Sequence, residues 1–340
     1  MAEAAILDRL PRVAEVAVPA VGLADRLTGA TTPFVVRGLA ADWPLVQAAG
    51  QGGAAVRALL ARQARPRGFP ASIASQAGDA RLFYTDAMAM NFRMDMAPLA
   101  QWLAAMAEAE TDPAQPTLYL SSIDMADYFT GLAEAHRLPL GDRQPLASIW
   151  IGTRTCIAAH NDVPENVAVC AAGRRRFTLF PPDQFANLYV GPLDNTPAGR
   201  PVSLVDVRAP DLARFPRFAE ALAQAQVAEL GPGDAIFVPS LWWHHVEGLA
   251  PFNVLVNFWW REAPRWLGNP EDALLHAILA VRDLPDHQRR QWQALFDHHV
   301  FAPDAGVTAH LPPDARGVLA PLTPETAGRI KARLLRGLSR

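Results

Sequence analysis

Gly231-Pro232-Gly233-Asp234, Ala235-Ile236-Phe237-Val238-Pro239, Ser240-Leu241 and Trp242-Trp243-His244-His245-Val246-Glu247 follow one another without a break. Gly-Pro-Gly-Asp is a turn signal. Ala235 to Val238 is a short apolar run stopped by a proline, as a strand is. Trp242 to Val246 resumes the β texture, and Asn253 to Trp260 repeats it after a turn at Gly248 to Pro251. Neighbouring residues of a strand face opposite sides of the sheet, so only one of His244 and His245 can serve a given site.

Toward the N-terminus the same texture begins near Ser148. Ser148 to Gly152, Asn166 to Cys170 and Arg175 to Phe180 read as strands, with a turn at Gly173 and a stop at Pro181-Pro182. Several short strands with Gly/Pro turns indicate a sandwich or barrel. Residues 1 to 145 read as mixed helix and strand. Phe34 to Arg37 is a strand, and Gly53 to Ala64 and Leu99 to Ala109 are helices. Val56, Leu59 and Leu60, and Trp102, Leu103 and Met106, recur at helical spacing and make core faces. After Pro264 the pattern is helical. Asn269 is a good N-cap with Pro270 behind it, and Thr323-Pro324-Glu325 starts the last helix. The expected organisation is an N-terminal α/β segment over residues 1–145, a β core over 146–262 and helices over 263–340. Apolar helix faces near the end need a partner, either the core or, in a homodimer, a second copy of the chain.

Composition excludes several classes. The chain has 340 residues, is half hydrophobic, and carries 19% charged residues with a net charge of −3. No basic stripe marks a nucleic-acid partner. Arg174-Arg175-Arg176 is the densest cationic run, and on a strand its members alternate between faces. Lys331 is the sole lysine, so arginine carries nearly all the positive charge. Two cysteines, Cys156 and Cys170, make no CxxC pair and no disulfide framework. Nothing near Met1 reads as a signal peptide and no stretch is long and apolar enough for a bilayer, so a cytoplasmic protein is expected.

His160-Asn161-Asp162 carries the chemistry. On a strand, residues two apart share a face, so an imidazole and a carboxylate converge on one point. A third ligand from a neighbouring strand completes a facial set and leaves coordination positions open. That suits non-haem Fe(II), whereas zinc prefers a nearly closed tetrahedron. The third ligand comes from the two adjacent histidines, about 80 residues further on. Other candidates lack context. His276 and His298-His299 lie on the C-terminal helices. Ser121-Ser122 and Ser240 sit in no G-x-S-x-G elbow, and no G-x-G-x-x-G or P-loop occurs.

Residues 231–239, 242–247 and Val256-Asn257-Phe258-Trp259 resemble the cupin-type JmjC Fe(II)/2-oxoglutarate-dependent oxygenases. Within that family the pattern resembles the asparaginyl hydroxylase acting on hypoxia-inducible factor. Phe180-Pro181-Pro182-Asp183-Gln184-Phe185, Phe215-Pro216 and the elements between Phe34 and Pro44 match the same family, so the likeness covers about residues 30 to 262. It implies a double-stranded β-helix, a jelly roll of mainly β structure, with the metal at its mouth. It assigns the metal to His160, Asp162 and His244, with His245 facing away. It implies 2-oxoglutarate as cosubstrate, with Arg175 where relatives carry a lysine for the far carboxylate. Tyr119, Asn166 and Asn257 match residues near that cosubstrate. Ile157 replaces a threonine that helps to bind it, and an isoleucine donates no hydrogen bond.

The resemblance implies an oxidoreductase, a dioxygenase hydroxylating a protein side chain or a small molecule, or demethylating through hydroxylation. Ile157 and Arg175 keep open a metal-dependent cupin enzyme that does without 2-oxoglutarate. A non-catalytic binding module is the third reading. Trp242, Trp259 and Trp260 suggest an aromatic rim.

Overall fold

A computed structural model describes residues 4–75, 79–112, 114–197, 199–301 and 306–339. Thirteen strands are found among them: β1 (Phe34–Val36), β2 (Gly68–Ala74), β3 (Arg81–Leu82), β4 (Phe92–Pro98), β5 (Thr117–Asp124), β6 (Leu146–Gly152), β7 (Thr155–His160), β8 (Glu165–Ala172), β9 (Arg175–Phe180), β10 (Gln226–Leu230), β11 (Ala235–Val238), β12 (Trp243–Gly248) and β13 (Asn253–Trp260). The major sheet runs β1-β11-β8-β13-β6-β5-β2-β4, and the minor sheet β10-β9-β12-β7-β3. Neighbours are antiparallel except β3 and β7.

From β6 onward the chain winds between the two sheets, giving four core strands in each. This is the jelly roll that the resemblance implies, and it fits the sandwich or barrel that the strand texture indicates. Of the strands before residue 145, β1, β2, β4 and β5 extend the major sheet at its two ends, and β3 joins the minor sheet beside β7. β7 and β10 escape the sequence pattern. β7 reads TCIAAH, too short and too alanine-rich for a clear alternation.

Burial follows from this geometry. Tyr119, Ile157, Phe177, Leu179, Val246 and Leu255 pack between the sheets. The outer face of the major sheet is covered by the helices Pro44–Ala49, Gly53–Gln63 and Leu99–Thr111, which bury Leu45, Val56, Leu60, Trp102, Leu103 and Met106. A second shell under residues 182–225 buries Phe180, Trp243 and Phe218 on the outer face of the minor sheet.

Three strands each contain one extra residue. In β5, Leu120 pairs with Ile151 and Ile123 with Ile149. In β7, Ile157 pairs with Val246 and His160 with His244. In β8, Cys170 pairs with Leu255 and Ala172 with Val254. These are β-bulges, which absorb a residue while keeping the flanking side chains in phase.

The chain divides into two units, Met1–Trp260 and Arg261–Arg340. The second contains the helices Pro270–Ala280, Asp286–Phe296 and Pro324–Leu338. Asn269 caps the first by accepting from the Glu271 amide, and Thr323 caps the last in a capping box with Thr326. Of this unit's described residues only Val307 and Ala327 are buried. No described helix is long and apolar enough to cross a membrane.

Candidate metal centre

His160 is the last residue of β7, and Asp162 lies in the loop just beyond it. The His-x-Asp pair is therefore not held by strand alternation, as the spacing suggests. Two other devices hold it. The β7 bulge places Ala158 and Ala159 opposite His245 alone, so Ile157 and His160 both face inward. The Asp162 carbonyl then accepts from the Leu241 amide at 2.8 Å, in the turn that leads into β12. Leu241 has φ +65, an uncommon value for a branched side chain. Such strain persists where the surroundings enforce it.

One ligand atom from each of His160, Asp162 and His244 lies within 4.8 Å of the others, and no other described group of His, Cys, Asp and Glu meets that condition. His244 Nε2 stands 3.6 Å from Asp162 Oδ2. His160 Nδ1 lies 2.9 Å from the Ala158 carbonyl and His244 Nδ1 3.0 Å from the Trp242 carbonyl. Both carbonyls call for a proton on Nδ1, which leaves Nε2 as a lone-pair donor.

Charge agrees with this role. Burial, aided by the nearby His244, pushes His160 down to about 4. Burial alone would raise Asp162, but the neighbouring His244, His160 and Arg200 hold it at about 2. At neutral pH the pair is a neutral imidazole and a carboxylate, the forms that bind metal.

His245 is buried on the opposite face of β12, with Nε2 3.2 Å from Cys156 Sγ. It takes no part in the cluster. His276, His298 and His299 are exposed in the second unit.

The three ligands line a cavity of about 510 Å³ with Tyr119, Ile157, Phe177, Asn166, Asn257 and Trp259 among its walls. Arg175 lies behind this wall. It shares the inward face of β9 with Phe177, is fully buried, and its Nε, Nη1 and Nη2 make no hydrogen bond. Arg174 and Arg176 point the other way and pair with Glu229 at 2.6 and 2.7 Å. Tyr119 is close enough to feel the Arg175 charge, although burial dominates and pushes its phenol up to about 12. Asn257 Nδ2 donates to Asn166 Oδ1 at 3.0 Å, and Asn257 Oδ1 is left without a partner. Ile157 forms apolar wall.

The aromatic rim needs correction. Trp259 lines the cavity and meets Trp150 edge-on at 5.8 Å. Trp242 instead donates to the Thr31 carbonyl at 3.1 Å, anchoring the N-terminal segment. Trp260 faces the outer core, stacked on Phe237. Trp150 was not among the expected rim residues, nor was Arg200. Arg200 lines the cavity and holds the Asn161 carbonyl at 2.8 Å. No local pattern marks an arginine in a long loop as facing a site built 40 residues earlier.

A donor set of two imidazoles and a carboxylate fits a divalent metal with open positions. An unpartnered buried guanidinium fits an anion reaching it from the cavity, because burying a charge without a partner costs several kcal/mol.

The cupin-like domain family matches residues 21–265. HSPB1-associated protein 1 of Rattus norvegicus is 30% identical over 155 residues, 43% of this chain and 31% of that protein. Lysine-specific demethylase JMJ31 of Arabidopsis thaliana is 32% identical over 123 residues, covering 35% and 22%. tRNA wybutosine-synthesizing protein 5 of Danio rerio is 29% identical over 163 residues, covering 47% and 43%. The chain thus spans less than half the length of each of these relatives.

Proposed function

The chain belongs to the cupin-like domain family, of JmjC type, and from that premise we propose that it is an Fe(II)- and 2-oxoglutarate-dependent dioxygenase. The overall reaction is R–H + 2-oxoglutarate + O₂ → R–OH + succinate + CO₂. The observation that carries the cosubstrate is Arg175, a buried cation with three unused donor nitrogens below a metal-ligand triad. A dicarboxylate has one end for a metal and another for such a cation.

His160, Asp162 and His244 would hold Fe(II), which when bound supplies the activation of O₂. Arg175, seconded by the Tyr119 hydroxyl, takes the far carboxylate. The Asn257–Asn166 pair orients polar groups beside the triad. Phe177, Trp150 and Trp259 exclude water from the cavity, which protects a reactive centre from side reactions. The two demethylase and wybutosine-synthesis names among the relatives support an enzyme of this type.

Titrating 2-oxoglutarate into anaerobic Fe(II)-loaded protein should produce a saturable charge-transfer band in the visible region. A metal-loaded protein that shows no band at any 2-oxoglutarate concentration would instead be a cupin enzyme of another class.

Assembly is part of the same reading. Among the described residues of the second unit, thirteen large apolar side chains are exposed, including Leu275, Leu279, Trp292, Phe301, Leu335 and Leu338. An exposed apolar surface of this kind calls for a partner. A second copy of this chain covers that surface. Sedimentation equilibrium should report a dimer that Leu335→Arg with Leu338→Arg converts to folded monomer. A monomeric parent protein would overturn the assignment.

A further inference from the structure

The outer face of the minor sheet carries a row of polar residues on the far side of the metal ligands. Glu229, Arg176, Glu247, Cys156 and Arg81 follow one another in register across its five strands. The charges alternate in sign, with the neutral thiol between Glu247 and Arg81. Beside this row, His245 of β12 lies opposite Thr178 of β9. Cys156, His245 and Thr178 are 2%, 1% and 0% exposed, so whatever they bond to is inside the protein.

His245 Nε2 lies 3.2 Å from Cys156 Sγ. This contact crosses from β12 to β7 where the ladder between them is interrupted, because the β7 bulge sets Ala158 and Ala159 against His245 alone. A bulge leaves a residue unpaired and disrupts the ladder locally. The two side chains therefore tie the strands together at the place where the backbones do not. β7 carries His160 and β12 carries His244. Ligands of a metal site have to be held to within about 0.5 Å by the packing around them.

His245 Nδ1 and Glu247 Oε2 stand 4.0 Å apart, and each is buried without a hydrogen-bond partner. Thr178 Oγ1 is in the same condition. Arg176 gives its hydrogen bonds to Glu229 and stays 4.0 Å from Glu247 Oε2. Buried polar side-chain atoms are nearly always bonded, to protein or to ordered water. The 4.0 Å gap is too wide for a direct bond and fits one water about 2.8 Å from each atom. Thr178 supplies a third bond, the usual number for a buried water. A water that accepts from Nδ1–H and donates to Glu247 keeps the ring proton on Nδ1. Nε2 is then free to accept from the Cys156 thiol. Burial pushes that thiol up to about 12, so its proton stays on sulfur.

We propose that one buried water held by Glu247, His245 and Thr178 completes a hydrogen-bonded chain to Cys156, and that this chain positions the two histidine ligands by tying β12 to β7. Cys156 and His245 are positioning residues, since neither belongs to the cavity wall. The assignment rests on the metal-dependent reading above.

The test uses the full-length protein and Co(II), whose visible absorption reports ligand geometry. Cys156→Ala should weaken Co(II) binding about tenfold, as loss of support around a ligand does, and should change the shape of the d–d bands. Cys156→Ser keeps a proton donor and should restore both. Cys156→Val fills the space without donating a proton, so it should match the alanine variant and replaces it where alanine does not fold. Urea denaturation of the metal-free proteins accompanies each titration. A bond that serves the fold alone would lower stability in Cys156→Ala and leave Co(II) affinity and spectrum as in the parent, and that result would overturn the positioning role. A high-resolution crystal structure of the metal-free parent should show a water within about 3.2 Å of both Glu247 Oε2 and His245 Nδ1. No density there, or a direct bond between the two side chains, would overturn the water. A parent protein that takes up neither Co(II) nor Fe(II) would bring down the metal-dependent reading instead, and the crystal structure would still decide the water.

Discussion

Asp162→Ala is expected to eliminate tight Fe(II) binding and to lower substrate-coupled succinate release on the order of a thousandfold, ~4 kcal/mol of activation free energy. The carboxylate is the only anionic ligand in the cluster. Without it, two imidazoles face each other with ring centroids 4.3 Å apart and no anionic group offsets a divalent cation. The fold should survive. Asp162 contributes its backbone carbonyl to the Leu241 amide, and alanine keeps that bond. Unfolding free energies of the metal-free proteins should therefore agree within about 1 kcal/mol. Iron content by atomic absorption and succinate by enzymatic assay would check both halves. Undiminished turnover in Asp162→Ala would remove the triad from the mechanism.

The second large effect has two signs. Arg175→Met should weaken 2-oxoglutarate at least about a hundredfold, because a charge-assisted multidentate contact is lost. The same substitution should stabilise the cosubstrate-free protein by about 1–4 kcal/mol, as replacing a buried unpaired ion with an apolar side chain of similar volume does. A structural arginine would behave oppositely, since its removal would cost stability and leave ligand affinity alone. Arg175→Lys keeps a charge on a thinner stem and should fall between parent and Met variant. Urea denaturation and titration of the charge-transfer band measure the two signs separately. Unchanged 2-oxoglutarate affinity in Arg175→Met would end the assignment.

The sequence made the second half of the site legible and the first half only partly so. Around His244 the signals were local: a Gly-Pro-Gly-Asp turn, a proline stop, and two histidines of which strand geometry admits one. In the structure Gly233 adopts φ +92, and Asp234 bonds the Gly231 amide, the Gly38 amide and Arg37. The turn chemistry read from the sequence therefore also pins β1 to the barrel. Around His160 the signals misled in detail. Period-two reasoning from Ile157 would turn His160 outward, and only the bulge, set by pairing with a strand 80 residues away, turns it back.

Arg175 illustrates a middle case. Alternation correctly separates it from Arg174 and Arg176, but nothing local reveals that its donors lack acceptors. Arg200 and Trp150 reach the cavity through long-range packing, and Ser121-Ser122 through another bulge. Sequence periodicity has no term for an extra residue whose position is chosen by the partner strand. The helices of the second unit lie at the opposite extreme. Asn269, Pro270 and the Thr323 cap are written in adjacent residues, and the helices begin where those residues say.

The bulges of β5, β7 and β8 share one more property. Each belongs to a strand that gives residues to the cavity wall, at Tyr119, Ile157 and Asn166. An extra residue leaves a ladder with fewer cross-strand bonds per unit length and a sharper local twist. Amide hydrogens at these three places should therefore exchange through small openings, while the regular pairing of β9 with β12 holds closed. The barrel then has compliant segments in both sheets and one stiff seam between β9 and β12. That seam holds the strand on which Arg175 is buried. In an oxygenase of this kind, admission of substrate and retention of a small anion would call on different strands of the same barrel, so one could yield without releasing the other.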